Sequence, residues 1–453
     1  EAVLAARLQR VQRENSADQV TFISGQLPDS TFELAHKWLS AIGSEQFVTY
    51  EPFGFEATRR ASEICFGTST VPVYDISEAG FLLSFNADFL DTWHSPTKYA
   101  AQFAQMHGAD RAPDGRFVQV ESRMSLTGAN ADEWIAIKPG REAFLALALA
   151  RLILPGSSVP IDEKERLSAS LAIYTPTMAA EITEIPANTI SRLAAEFGRQ
   201  GKTRPSVALA GGIAGSSSEE TATLVAVNLL NHIAGNITKT VYFYDQDAIP
   251  QSSSYARVCS VVKEMQRGNV PLLMLAHSNP VFSLPESVGF DEAMKEVDFV
   301  VSFSSFLDES TNLADLILPD HTPLESWGDS RPEAGVLGLM QPVMEPIFDT
   351  KALGDTLLSV SRQPTDAPIG SLPWENYYSY LRSKWQTIRK EQQDENNFET
   401  FWHDALKRGG IWRPQKPTPV HLTKDFGTAL FREPKFKGHS TEALILIAYP
   451  STR

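Results

Sequence analysis

Apolar residues along the chain follow two spacings, one typical of helices and one typical of buried strands. Residues 2–16 and 31–42 carry apolar side chains at helical intervals, whereas residues 20–24 read VTFIS and residues 47–50 read FVTY. Strands that alternate with helices favour a mostly parallel sheet with helices on its faces. The pattern therefore predicts an α/β fold from the start of the chain.

The alternation continues in two blocks, separated by a stretch over residues 161–201 that is helical for most of its length. Further strands are predicted at 80–88, 117–122, 206–212, 241–244, 271–280 and 298–306, and further helices at 142–154, 219–234, 255–267 and around 290–296. We predict an α/β fold with two related open parallel-sheet domains and flanking helices, a helical connector, and the start of a C-terminal β-barrel domain. The expected domain ranges are 1–158, 159–204, 205–360 and 361–453.

The two blocks end alike, which suggests related halves. Residues 131–139 read ADEWIAIKP and residues 314–319 read ADLILP, so that in each an apolar strand follows an Ala-Asp pair and stops at proline. The second run predicts a buried strand that delivers Asp320, His321, Thr322 and Glu325 to one edge of a sheet. Ligands of open parallel sheets dock at the carboxyl ends of strands, so this edge is a candidate site.

Length and charge exclude some classes of protein. A chain of 453 residues is expected to form two or three domains. A formal charge of −15 and a pI near 5.1 argue against binding to a nucleic-acid backbone. No window approaches the roughly 20 apolar residues of a spanning helix. The chain begins at Glu1, and we expect that start to be a processed or truncated end.

Candidate catalytic and metal chemistry is sparse. Cys65 and Cys259 are far apart, and without a cluster of cysteines we expect neither an iron–sulfur cubane nor a structural zinc, and instead two buried apolar fillers. His321 has no second histidine at ligand spacing, so a metal role is disfavoured. The nucleophile-elbow, P-loop and zinc-protease motifs are absent. The sequence therefore predicts no catalytic and no metal-binding residue.

Several longer runs resemble the large subunit of the molybdopterin oxidoreductases, the family of formate dehydrogenase, nitrate reductase and polysulfide reductase. The resemblance covers roughly residues 1 to 350 and the beginning of a final barrel domain. It is carried by YDISEAGFLLSFNADFLDTWHSP at 74–96, LLNHIAGNITKTV at 229–241, PLLMLAHSNPVFSLP at 271–285 and VDFVVSFSSFLDESTNLADLILPDHTPLESWG at 297–328.

The resemblance implies positions for two pterin dinucleotides, if a pterin is bound. The positions that match the family's pattern are Asn86, Glu121, Arg123 and Glu142 for one, and Asn279, Glu309, Thr311, Asp315 and Glu325 for the other. Several depart from that pattern: Phe85 replaces a glycine, Glu121 and Ser122 replace Asp-Pro, and Arg141 and Glu142 replace Thr-Asp. A longer carboxylate and a bulky arginine would shift a base-binding pocket by about one methylene.

A retained scaffold with altered contacts resembles one branch of the family, the molybdopterin-like subunits of alternative complex III and menaquinone reductase. The runs LESWGD at 324–329 and LMQPVMEP at 339–346 support this branch. It implies a non-catalytic, cofactor-free subunit of a membrane-bound respiratory quinol/quinone oxidoreductase on the periplasmic side of the cytoplasmic membrane. The implied partners are an iron–sulfur subunit or domain, a multihaem cytochrome c and an integral membrane quinol-binding subunit.

Two other functions stay open. One is a fragment of the catalytic subunit of an active enzyme of the formate dehydrogenase or polysulfide reductase type, with molybdenum on bis-molybdopterin guanine dinucleotide. The other is a free-standing soluble binding protein built on the same sheets. In a cofactor-free relative, we expect Asp320, His321 and Glu325 to pair with one another and with Arg331, because buried carboxylates need partners.

Overall fold

A computed structural model describes residues 1–108, 115–211, 219–245, 252–364, 369–426, 431–432, 446–447 and 449. Its strands are β1 (Thr21–Ser24), β2 (Gln46–Thr49), β3 (Val73–Tyr74), β4 (Phe81–Phe85), β5 (Arg116–Glu121), β6 (Glu133–Ala136), β7 (Ser206–Ala210), β8 (Val241–Tyr242), β9 (Leu273–Ala276), β10 (Val300–Ser302), β11 (Leu316–Ile317), β12 (Gly328–Glu333), β13 (Val336–Met340) and β14 (Gly410–Trp412). Its α-helices are α1 (Ala2–Arg13), α2 (Asp29–Ile42), α3 (Glu56–Phe66), α4 (Pro96–His107), α5 (Leu126–Ala129), α6 (Glu142–Ile153), α7 (Ile161–Leu171), α8 (Pro176–Thr183), α9 (Ala187–Thr203), α10 (Glu220–Ala234), α11 (Tyr255–Gln266), α12 (Pro280–Ser283), α13 (Phe290–Met294), α14 (Leu353–Val360), α15 (Tyr377–Glu391) and α16 (Phe398–Arg408).

The chain forms two compact units, and each unit is built from two separate segments. Unit 1 contains Glu1–Gly54 and Asp247–Gln415, and unit 2 contains Phe55–Gln246 and Lys416–Arg453. These bounds differ from the four consecutive ranges expected from the sequence. The reason is strand pairing, because β1 lies between β2 and β9 and so joins the start of the chain to a sheet formed mostly by its second half.

Unit 1 is organised around a five-stranded parallel sheet in the order β11-β10-β9-β1-β2. Phe22 of β1 lies on one face between the rings of Phe47 and Phe303, at centroid distances of 5.1 and 6.0 Å. Both faces are covered by helices and carry separate apolar cores, as is usual for an all-parallel sheet. A small antiparallel sheet, β12-β13-β14, packs with α15 and α16 around the buried Trp385 and Trp402.

Unit 2 contains a four-stranded parallel sheet in the order β6-β5-β4-β7 and an antiparallel pair formed by β3 and β8. Helix α6 is buried from Ala143 to Ala150, because every one of those residues is apolar and neighbouring helices surround it. Helices α7, α8 and α9 fill the predicted helical connector and pack into this unit.

The predicted fold class, α/β with parallel sheets flanked by helices, is confirmed. Within residues 361–453 the described part supplies α15, α16 and β14. The start of a β-barrel domain stays a prediction, and much of it falls on residues 427–453, most of which lie outside the described residues.

The edges of the two sheets share one device, as the repeated Ala-Asp pairs suggest. At β6, Asp132 Oδ2 accepts a hydrogen bond of 2.7 Å from the backbone N–H of Phe117. At β11, Asp315 Oδ2 accepts a bond of 2.8 Å from the N–H of Val300. The expectation of a buried strand at this second site is wrong, because β11 is a two-residue edge strand in which Ile317 is 37% exposed.

Candidate cofactor-binding site

A cleft of about 700 Å³ opens in unit 1 where parallel strands end. Gln26 follows β1, His277 follows β9, and Asp320 and His321 follow β11, and all four side chains line the cleft. Open parallel sheets bind ligands at this end of their strands. The volume lies within the range of roughly 300 to 1,000 Å³ that small-molecule and cofactor sites occupy.

The cleft has apolar walls and a few polar side chains. Leu27, Leu339 and Leu353 are buried residues of the walls, and the half-buried indole of Trp327 lies beside them. Asp29, Asp329 and Arg331 are charged residues of the same lining. Such a surface suits a ligand with a flat apolar body and a polar edge.

The ends of β1 and β9 approach each other closely, just before the lining residues Gln26 and His277. The N–H of Gly25 donates to the carbonyl of Ala276 at 2.9 Å. A Cβ at Gly25 would lie only 2.0 Å from the carbonyl oxygen of His277. His277 itself has a left-handed backbone with φ of 51°, and its Nε2 lies 2.7 Å from Asp320 Oδ2. These contacts fix the imidazole against the loop that follows β11.

The polar residues after β11 bind mainly to backbone groups. Asp320 Oδ1 accepts the N–H groups of His321 and Leu353, each at 2.8 Å. Glu325 accepts the N–H groups of Thr322 and Ile347, each at 3.0 Å, and these bonds hold the pKa of its carboxyl below the ordinary value. The expectation that Asp320, His321 and Glu325 would pair with one another is therefore wrong, and their pairing with Arg331 stays a prediction.

The other predicted positions in unit 1 form a second polar group. Asn279 donates through Nδ2 to Glu309 Oε2 at 2.6 Å and accepts from the hydroxyl of Ser310 at 2.7 Å. The hydroxyl groups of Thr311 and Ser302 lie 2.8 Å apart. The structure thus brings Asn279 and Glu309 together. None of the five predicted positions of this unit is among the described residues that line the cleft.

In unit 2, three protein donors form hydrogen bonds with the carboxylate of Glu121. It accepts from Gln119 Nε2 at 2.9 Å, from the N–H of Ser125 at 2.7 Å and from Trp134 Nε1 at 3.0 Å. Gly128 leaves room for it, because a Cβ there would lie 2.1 Å from Glu121 Oε1. Glu121 therefore holds the loop after β5 in place.

Arg123 and Glu142, the remaining positions with Asn86, also have protein partners. The guanidinium of Arg123 is 3.6 Å from Asp88 Oδ2 and 3.8 Å from the ring centroid of Tyr449. Glu142 is 3% exposed and accepts from Asn86 Nδ2 at 2.8 Å. Burial raises the pKa of the Glu142 carboxyl.

Replacing Glu142 with glutamine should remove a pH-dependent part of the stability of unit 2. Because the folded state raises the pKa of Glu142, its contribution is fully present below the unfolded pKa and is lost as pH rises through the folded value. Glu142→Gln should therefore unfold at higher urea than wild type at neutral pH, with the two converging below about pH 4.5. The exposed Glu165→Gln should follow wild type throughout. A Glu142→Gln curve parallel to wild type at all pH values would contradict the prediction.

The cysteines do not form a ligand cluster. Cys65 is fully buried, its sulfur is 3.7 Å from the carbonyl of Val225, and burial raises the pKa of its thiol to about 12. Within the described part of the chain, no group of three or more His, Cys, Asp or Glu side chains is arranged to hold a metal ion. Nor is any helix of that part long and apolar enough to cross a bilayer.

The chain matches one protein family and is similar to several known proteins. The family model described as molybdopterin oxidoreductase matches residues 2–361. The menaquinone reductase molybdopterin-binding-like subunit of Nitratidesulfovibrio vulgaris is 26% identical over 375 residues, which cover 79% of this chain and 53% of that protein. The arsenate respiratory reductase molybdopterin-containing subunit of a Shewanella species is 23% identical over 425 residues, covering 77% and 49%. The chain thus spans about half the length of these relatives.

A solved structure gives the same fold. Acetylene hydratase from Pelobacter acetylenicus superposes with a TM-score of 0.65 at 13% identity, and the match covers 84% of this chain and 59% of that one. At this identity the likeness concerns the fold alone.

The expectation of no cofactor is wrong in the light of these relatives. The matching family is named for molybdopterin, and the arsenate-reducing relative is named as a molybdopterin-containing subunit. The altered positions in unit 2 had suggested loss of the cofactor, but changes at single contact residues are a weak guide to whether a whole cofactor binds.

Proposed function

Because the chain belongs to the molybdopterin oxidoreductase family, we propose that it is a non-catalytic subunit of a membrane-bound respiratory quinol/quinone oxidoreductase complex. In this role it holds a molybdopterin-type cofactor in unit 1 and positions redox partner subunits. The observation that carries the proposal is the similarity to the menaquinone reductase subunit across 79% of this chain.

The cleft of unit 1 fits such a cofactor in size and chemistry. Its apolar walls match the faces of a planar ring, and the carboxylates of Asp29 and Asp329 are hydrogen-bond acceptors in its lining. His277, His321 and Arg331 are the lining side chains that carry positive charge when protonated, and so suit phosphate oxygens. When bound, the cofactor would supply a redox centre, while these residues orient it and exclude water.

The predicted positions of unit 2 fit a second dinucleotide poorly. The carboxylates of Glu121 and Asp88 are each engaged by protein hydrogen bonds, and Glu142 is buried against Asn86. A ligand would have to displace several charge-assisted bonds. This supports a scaffold in place of a two-pterin catalytic centre.

The proposed location and partners follow from the same similarity. We place the subunit on the periplasmic side of the cytoplasmic membrane as a peripheral component. Its partners would be an iron–sulfur subunit or domain, a multihaem cytochrome c and an integral membrane quinol-binding subunit. The relative is named as a subunit of a menaquinone reductase, an enzyme of a membrane-dissolved substrate, which supports this assembly.

A catalytic subunit is the second candidate, because the arsenate respiratory reductase subunit covers 77% of this chain. The two functions differ in turnover. We would purify the protein from cells that express it naturally. Pterin would be measured by its fluorescence after oxidation, and metal by mass spectrometry. Turnover of formate, polysulfide and arsenate would be assayed with viologen dyes.

The expected result is a bound pterin, no viologen-linked turnover, and co-purification with haem-containing and membrane subunits. Reduction of oxidised viologen by formate, or oxidation of reduced viologen by polysulfide or arsenate, would favour the catalytic subunit. A monodisperse protein without partners or pterin would overturn both and leave a free-standing binding protein.

A further inference from the structure

Six large apolar side chains are exposed on three loops of unit 1. The loops follow β10, β11 and β13 and comprise residues 303–309, 318–326 and 341–350. The six side chains, each more than half exposed, belong to Phe306, Leu307, Leu324, Val343, Ile347 and Phe348. We refer to these six residues as the apolar patch.

Backbone hydrogen bonds hold the three loops side by side. The N–H of Asp320 donates to the carbonyl of Phe303 at 3.1 Å, which joins the first loop to the second. The N–H of Val343 donates to the carbonyl of Leu324 at 2.9 Å, which joins the second loop to the third. The apolar patch is therefore carried by neighbouring loops of one surface.

The apolar patch is larger than a soluble protein usually leaves in contact with water. An exposed phenylalanine side chain presents roughly 200 Å², so Phe306 and Phe348, which are 79% and 76% exposed, supply about 300 Å² together. The four aliphatic side chains bring the total above roughly 600 Å², the upper range for the largest patch on a typical monomer. Exposed apolar surface of this size is typical of an interaction site.

The loops that carry the apolar patch contain acidic residues and no basic ones. Neither Lys nor Arg occurs in residues 303–309, 318–326 and 341–350. Lys351, which follows the third loop, is paired with Glu1 at 2.6 Å. The acidic residues of the loops that are exposed to solvent are Glu309, Glu345 and Asp349. The apolar patch thus has negative charge beside it.

This combination of apolar surface and negative charge favours one kind of occupant. A second copy of the chain would bring a second set of carboxylates against the first, and an anionic lipid surface would repel them too. Resting on the proposed function, we propose that the apolar patch binds a redox partner subunit through a face with an apolar centre and a rim of lysine and arginine. Opposite charges steer such a partner into place, and burial of the apolar centre supplies affinity.

The first test is recovery of the partner from cells that express the protein naturally, through an affinity tag on the full chain. Phe348→Ser should lower the amount of partner recovered per chain by at least about tenfold, because a central aromatic side chain carries a large share of the affinity of an interface. Glu345→Lys should also lower recovery, and more so at low salt than at high salt, because salt screens the charges of the rim.

Two exposed positions of unit 2 supply the matched controls. Ile173, which is 68% exposed, is replaced in Ile173→Ser, and an exposed carboxylate is reversed in Glu181→Lys. Both controls should recover as much partner as wild type. All four variants should unfold at the same urea concentration as wild type, because each changes an exposed side chain. Loss of the partner would then report a lost contact and not an unfolded chain.

Photo-crosslinking identifies what covers the apolar patch. Benzoylphenylalanine in place of Phe306 should cross-link to a peptide of the partner in which apolar residues are flanked by Lys or Arg. A cross-link to a second copy, to a lipid or to another segment of the same chain would overturn the assignment, and so would no cross-link in a sample that contains partner subunits. Full recovery of the partner by Phe348→Ser would also overturn it while leaving the proposed function in place. Recovery of wild type without any partner would overturn the proposed function as well.

Discussion

Replacing Gly25 with alanine should lower the free energy of unfolding of unit 1 by about 3 kcal/mol. A Cβ at this position would lie 2.0 Å from the carbonyl oxygen of His277, which is backbone and cannot rotate away. Relief requires β1 and β9 to move apart at their ends, where the N–H of Gly25 bonds to Ala276. We would measure the urea concentration at the midpoint of unfolding and the affinity for a pterin such as neopterin. Both should be lower than in wild type.

Gly156→Ala is the control for this substitution. Gly156 has no positive φ, and a Cβ there meets no atom within 4 Å. Its unfolding curve should match wild type or move slightly towards higher urea, since alanine restricts the unfolded chain. If Gly25→Ala were as stable as Gly156→Ala, the close approach of the two strand ends would be refuted.

Replacing Glu121 with glutamine should destabilise unit 2 by about 3 kcal/mol, because one of the two acceptor oxygens of a buried carboxylate is lost. Gln119, Ser125 and Trp134 all donate to this carboxylate. An amide has one acceptor oxygen, and its NH₂ group would face a donor. Urea unfolding followed by tryptophan fluorescence would report the change, since Trp134 is one of the donors.

The exposed Glu181→Gln serves as the control and should change stability little. The prediction also separates two roles for Glu121. If Glu121→Gln left stability unchanged and altered pterin or GMP affinity, the carboxylate would be a ligand-binding group, contrary to its structural role.

Most elements of the sheets were predictable from local pattern, because alternating or continuous apolar runs are a property of neighbouring residues. VTFIS at 20–24 became β1, and the run at 142–154 became α6. The pairing of strands was not predictable in the same way. Ile23 lies beside Leu275, and nothing near either residue encodes that partner. The consecutive domain ranges expected from the sequence therefore differ from the interleaved units.

The site shows the same division between local and distant information. Motif resemblance identified Asn279 and Glu309, which do bond to each other. It did not identify His277, whose partner Asp320 is 43 positions away. It also did not identify Asp29 and Asp329 as a pair, because these two residues of the cleft lining are far apart in the sequence. The one available signal was position, since His277 lies near the carboxyl end of the strand predicted at 271–280.

The nesting of one unit within the other has a consequence for biosynthesis. The segment ending at Gly54 leaves the ribosome with β1 and β2 but without β9, so one side of β1 has no neighbour until Ala276 has been made. Most of unit 2 is one continuous segment, Phe55–Gln246, and we expect this unit to fold first. The unpaired edge of β1 is prone to aggregation until β9 has been translated. Chaperone protection is therefore needed most at the beginning of this chain.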